Sequence, residues 1–180
     1  MTTLETRCLE AFPAWLRTLG EDAKLLATVL ESSASGEHVR RRSAAALTYL
    51  FKSLDLIPDG LEDLGFVDDA FVFRVAAGSV EPGDAAADAS GTVTRLAGEA
   101  GLIREFLGEV YERLATYVAS LEKSSARGRS VDEVIADPAK CAELVREVRQ
   151  WAEGYEIPSF TRDEKNLVKL RSFLAAKLRA

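Results

Sequence analysis

Between Ile103 and Leu121 the apolar side chains fall at Ile103, Leu107, Val110, Leu114, Tyr117 and Leu121, at spacings of 4, 3, 4, 3 and 4. That rhythm lines one side of a helix, whereas a strand carrying it would split its apolar groups between two faces. The same spacing recurs through nearly the whole chain, and period-two alternation is almost absent. The expected fold is therefore all-α, a helical bundle of about seven or eight helices. Leu, Ala, Glu, Arg and Val dominate and Pro is rare, which suits helices. A chain of 180 residues buries enough apolar surface to fold without a disulfide or a structural metal.

Local signals place the helix ends. A first helix is expected from about Leu4 to Leu19, closed by Gly20 and kinked or broken at Pro13. A second runs through Leu25, Leu26, Val29 and Leu30 to the SSASG turn, and a third starts near Glu37. Another spans about Phe66 to Val80. Ser130 with Glu133 and Thr161 with Glu164 have the form of capping boxes, and Asp137-Pro138 reads as N-cap and first helical residue. Gly154 closes the helix holding Trp151, and the last helix ends with Lys177 and Arg179 at the negative end of its dipole. The expected organisation is an N-terminal helical region over residues 1–80, a linker over 81–100 and a C-terminal helical region over 101–180, packed together as one domain.

Bulk charge limits the partners. A net charge of −6 opposes general nucleic-acid binding, and Arg40-Arg41-Arg42 is too short a basic run to reverse it. Cys8 and Cys141 lie far apart with no CxxC pairing, which fits a reducing cytoplasm. No run reaches the length that spans a bilayer, since AFVFRVAAGSV is interrupted by Arg74. His38 is the sole histidine, so histidine-based metal hydrolase motifs and a Ser-His-Asp triad lack support. No phosphate-binding glycine loop or nucleophile elbow occurs. No catalytic or cofactor-binding residue is assigned.

The stretch LDLIPDGLEDLGFVDDAFVF stands apart. Between Lys52 and Arg74 lie six carboxylates, Asp55, Asp59, Glu62, Asp63, Asp68 and Asp69, with no base among them. A structural reading takes it as a tight acidic helix–turn–helix hairpin. Asp59 and Glu62 then cap a helix, Pro58 ends the preceding one at Ile57, Gly60 and Gly65 supply turn conformations, and Asp68 and Asp69 sit in a first helical turn. One helix end gains only about 0.3–1 kcal/mol from a carboxylate, so a set of them needs compensation. Arg74 and Arg40–Arg42 are candidate ion-pair partners. The alternative is a metal site on Asp55, Asp59, Asp68 and Asp69, whose oxygen-only ligands suit Mg²⁺, Ca²⁺ or Mn²⁺.

The run Tyr49, Asp55-Leu56-Ile57-Pro58-Asp59, Leu64-Gly65 and Asp68-Asp69 resembles the YkvA-like family of bacterial proteins, a domain of unknown function, over about residues 41–77. Ser53 and Glu62 stand where such sequences often carry proline. The resemblance implies the hairpin and groups the four aspartates as a set, and it implies no catalytic role. Two functions stay open. One is a non-catalytic protein-interaction or scaffold module, with a protein partner or a second copy docking through the Ile103–Leu121 helix. The other is a divalent-cation-binding protein, or a metal-assisted hydrolase, using the Asp cluster.

Overall fold

The computed structural model describes residues 2–178, with the side chain of Ala86 excepted. Among these residues there are nine α-helices: α1 (Leu4–Glu31), α2 (Glu37–Tyr49), α3 (Val67–Gly78), α4 (Pro82–Ala86), α5 (Thr92–Leu107), α6 (Val110–Ser120), α7 (Val131–Ala136), α8 (Pro138–Gly154) and α9 (Glu164–Lys177). A 3₁₀ turn at Leu121–Lys123 leads into a two-stranded antiparallel hairpin, β1 (Ser125–Ala126) and β2 (Arg129–Ser130), with Ser125 opposite Ser130. The all-α bundle expected from the periodicity is the observed architecture.

α3 is the axis of the fold. Every residue from Val67 to Ala77 is buried, so the helix has no solvent face, and α1, α2, α5 and α6 pack around it. A helix apolar on all sides is stable only when fully enclosed. α8 lies along α1 on the outside of this group, and an extended segment from Tyr155 to Asp163 carries the chain across to α9. Phe12 joins the layers, with its ring 5.0 Å from that of Phe71 and 5.1 Å from that of Phe106. None of the described helices is long and apolar enough to cross a membrane.

Several boundaries differ from those expected. The first two helices are one, because α1 passes straight through Pro13 and Gly20. Gly20 lies inside α1 beside the end of α8, where a Cβ would meet the Ala152 carbonyl oxygen and the Tyr155 ring at 3.4 Å, an ordinary contact distance. The Ile103–Leu121 stretch is not one helix. Gly108, at φ 57° and ψ −127°, adopts a backbone conformation that side chains disfavour and separates α5 from α6. Ile103, Leu107, Leu114 and Leu121 are all buried in the chain's own core, so no continuous seam faces outward. Residues 81–100 hold α4 and the first half of α5.

The C-terminal caps follow the local signals in part. Ser130 and Glu133 form the reciprocal capping box, and Asp137 caps α8 ahead of Pro138. The α9 cap is Asp163, which accepts from the Lys165 N–H at 2.8 Å, in place of Thr161. Thr161 is used elsewhere, donating its N–H and its hydroxyl to Asp63, each at 3.0 Å. Lys177 lies in the last turn of α9, while Arg179 is outside the described residues.

The largest departure is the hairpin. α2 ends at Tyr49, well before Pro58, and residues 50–66 form a chain of turns with no helix. Asp59 and Glu62 cap nothing. The left-handed positions are Asp63 (φ 63°) and Phe66 (φ 66°), not Gly60 or Gly65. Gly65 is required for space: a Cβ would lie 2.1 Å from the Asp59 carbonyl oxygen and 3.0 Å from its carbon, whereas Gly60 has nothing within 4 Å. Gly65→Ala should therefore cost on the order of 3 kcal/mol in chemical denaturation, and Gly60→Ala less than about 0.5 kcal/mol. Equal effects of the two substitutions would contradict this packing.

Candidate functional site

Tyr49, the last residue of α2, and Asp68, in the first turn of α3, meet where the 50–66 loop folds back between them. The Tyr49 hydroxyl donates to Asp68 Oδ2 and accepts from the Leu56 N–H at 2.7 Å. The Ile57 N–H donates to the same Asp68 oxygen at 3.1 Å. Two successive loop amides are thereby satisfied by side chains from two different helices, all of it buried. A buried amide without a partner would cost about 1–3 kcal/mol, so these bonds set the path of the loop. The sequence signal for Tyr49 was its place in the family-like run, with no role attached; Asp68 was expected at a helix start or as one of four metal-binding aspartates, not as the partner of Tyr49.

The four candidate aspartates are unequally placed. Asp68 and Asp69 are 1% and 2% exposed, at the start of α3 where free amides and the helix dipole favour negative charge. Asp55 is half-buried on the loop, and Asp59 is exposed at its surface. One oxygen of each of three residues, Asp55 Oδ1, Asp68 Oδ1 and Asp69 Oδ2, is buried without a hydrogen-bond partner. As the side chains stand, no group of three Asp, Glu, His or Cys among the described residues is positioned to hold a metal ion.

The arginines expected to neutralise the cluster are engaged elsewhere. Arg74, 0% exposed, pairs with Asp22 at 3.3 Å and Glu99 at 2.7 Å, and its guanidinium lies 4.2 Å from the centre of the Trp15 ring. Arg95 completes that group at 2.6 Å from Asp22. Arg40 donates to the Leu30 carbonyl at 2.9 Å. Arg41 pairs with Glu37 and Asp132, and Arg42 with Glu122 at 3.4 Å. Sequence reasoning missed the Asp22–Glu99–Arg95 group, because contacts between α1, α3 and α5 leave no local pattern. The remaining acids of the stretch serve the loop's outside, with Asp63 holding Thr161 and the Glu62 carbonyl facing Lys169 at 3.4 Å.

This leaves the cluster electrically strained. Burial, with the charges of Asp59 and Asp68, pushes the Asp55 carboxyl up to about 7 against the opposing pull of Lys52. Burial also raises Asp68, despite the hydrogen bonds from Tyr49 and Ile57. Asp69 is raised well above the usual range, by burial first and then by Asp68, Asp59 and Asp55. Asp59, though exposed, is raised by the water its surroundings exclude. Tyr117, whose ring meets that of Tyr49 edge-on at 6.2 Å, is raised to about 12 by burial and the charges of Asp68, Asp55 and Asp69.

Comparison with known proteins adds one finding. Residues 42–74 match a family described as a protein of unknown function (DUF1232). No curated protein and no solved structure matches the chain. The matched segment holds most of α2, the whole loop and the first turns of α3, so it contains Tyr49 and all four aspartates.

Two measurements check this geometry. Tyr49→Phe removes the donor to Asp68 and leaves the Leu56 amide unpaired, for a loss of about 2 kcal/mol, or roughly 4–8 °C in the unfolding midpoint. Chelator-treated protein should also become less stable as pH rises above 5. Carboxyls raised on folding hold protons that the unfolded chain releases. Their stabilisation is complete below the unfolded value of about 4 and is lost as pH climbs through the folded values, about 7 for Asp55. Asp55→Asn should flatten that slope in thermal melts between pH 5 and 8; an unchanged slope would show that Asp55 does not titrate in this window.

Proposed function

We propose that this chain is a non-catalytic binding module of the cytoplasm that docks a protein partner through the loop beginning at Leu54. The observation that carries the reading is the contrast within four residues. Leu54 is 82% exposed, while the amides of Leu56 and Ile57 just beyond it are held in the interior by Tyr49 and Asp68. An isolated exposed leucine is ordinary on a flexible surface. Here it stands on a backbone fixed from inside, so little ordering entropy is lost when a partner covers it.

The surroundings suit an acidic partner. Phe51, Lys52, Ser53 and Leu54 line a shallow groove with Ser125–Gly128 of the β1–β2 hairpin. The Arg127 guanidinium covers the Phe51 ring at 4.2 Å, on a left-handed backbone position at φ 52°. An apolar side chain against Leu54 and a carboxylate between Lys52 and Arg127, the latter shared with Glu147 at 3.6 Å, fit this groove, despite the net charge of −6 on the whole molecule. The earlier expectation of docking through Ile103–Leu121 gives way to this face, because the seam residues already fill the core. The non-catalytic character rests on Asp68, whose Oδ2 is engaged by two donors and whose side chain is withdrawn from solvent.

A photo-crosslinking residue at Ser53, used in the native cell, identifies the partner, and the purified pair is then measured by calorimetry. Leu54→Ser should weaken binding about 10- to 100-fold. Arg127→Glu should weaken it further, with the melting point of Leu54→Ser unchanged within about 1 °C. A crosslinked protein whose affinity is indifferent to both substitutions, or no crosslink at all, would overturn the proposal. A crosslink to a second copy would make the partner this chain itself, tested by the same two variants in sedimentation.

A further inference from the structure

The buried carboxylates point beyond the docking surface, and the inference stands whether or not Leu54 meets a partner. Three carboxylate oxygens, Asp55 Oδ1, Asp68 Oδ1 and Asp69 Oδ2, are buried with no donor facing them. Native interiors leave few polar atoms unpaired, and such an atom calls for an explanation. A single proton shared between two carboxylates satisfies one pair of oxygens and leaves the third bare. The neighbouring arginines cannot reach in, since Arg74 is held by Asp22 and Glu99 and Arg40–Arg42 are committed to Leu30, Glu37, Asp132 and Glu122. The base that bears on the cluster is Lys52, which acts on Asp55.

We infer that Asp68 Oδ1 and Asp69 Oδ2 form the inner wall of a binding site for a hard divalent cation, completed when Asp55 turns in from the loop. One ion accepts all three bare oxygens at once and offsets their mutual repulsion, which Lys52 meets only at Asp55. An all-oxygen carboxylate set selects Mg²⁺, Ca²⁺ or Mn²⁺ over metals that prefer nitrogen or sulfur. Asp59, exposed on the same loop, adds negative charge at the entrance and can reach the ion through water. Asp68 and Asp69 are fixed at the start of α3, and the half-buried Asp55 is carried by the loop. Asp68 keeps its Oδ2 for Tyr49 and Ile57 throughout, so the loop's hydrogen bonds and the ion do not compete for the same atom.

The test uses the full chain, stripped with chelator and titrated with Mn²⁺ at pH 7.5. Free Mn²⁺ is followed by electron paramagnetic resonance, and unfolding is followed in parallel. Wild type should bind one Mn²⁺, displaced by Mg²⁺ or Ca²⁺, with the midpoint rising about 5–10 °C at a hundredfold excess over Kd. Asp69→Asn, which leaves the Tyr49 and Ile57 bonds in place, should abolish both effects. Asp55→Asn, on the loop and no part of the core, should weaken Mn²⁺ at least tenfold, which keeps the test decisive if Asp69→Asn folds poorly. The surface variant Glu156→Gln should behave as wild type. No Mn²⁺ bound at about 1 mM, or binding that survives both Asp substitutions (an adventitious ion only), would overturn the inference.

Discussion

The contact between Tyr49 and Asp68 ties the loop over residues 50–66 to the two helices that flank it. Tyr49 ends α2, Asp68 lies in the first turn of α3, and the loop between them closes its later turns on its own backbone but leaves the Leu56 and Ile57 amides to side chains. By donating to Asp68 and accepting from Leu56, the phenol turns one side chain into a bridge between loop and helix. Asp68 extends it to Ile57. The loop's apolar residues then face inward, with Leu56, Ile57 and Leu64 all buried. Without the bridge their burial would require unpaired amides in an apolar interior, and the transfer of three side chains would be offset by the cost of those amides.

α3 shows how the same molecule treats buried charge in two opposite ways. Arg74 is wholly enclosed, yet Asp22, Glu99, the Ala70 carbonyl and the Trp15 ring account for its charge and its donors. That group is balanced, and its worth lies in fixing the relation of α1, α3 and α5 more than in net stability. Five residues earlier on the helix, Asp69 has no such company. Its burial is enforced from outside, because α3 cannot place Val67, Ala70 and Phe71 in the core without carrying Asp68 and Asp69 in with them. The helix start softens the cost through its free amides but leaves the repulsion among the carboxylates in place.

What could be read in advance divides along the range of the interaction. Ser130 with Glu133, and Asp137 with Pro138, are decided within four residues and appear where the sequence places them. Thr161 has the same local form, but its hydroxyl and amide are taken by Asp63 from far along the chain, and the cap passes to Asp163. Gly20 and Gly108 look alike as punctuation. One lies within α1 beside the end of α8, and only the other breaks a helix. The grouping of Asp68 with Asp69 was legible as a helix start; their full burial was not, because it depends on parts of the chain far from them in sequence, with Tyr117 of α6 near Asp68 and Tyr155 beyond α8 near Asp69. Asp55 and Asp59, equal members of the set on paper, differ in burial because the loop, not a helix, carries them.

The extent of the family-like segment follows from the same physics. Residues 42–74 contain every atom of the Tyr49–Asp68 bridge and both amides that it satisfies, so the local geometry is encoded within one short stretch. That stretch cannot stand alone, since α3 is buried on every side and must be enclosed by α1, α5 and α6, none of which the segment supplies. Enclosure can be provided by many sequences, because burying apolar surface is undemanding of exact residue type. The bridge and the bare carboxylates are demanding, since each depends on particular donor and acceptor atoms at particular positions. A segment with this division of labour carries its chemistry in the loop and helix start and leaves the surrounding helices free to differ.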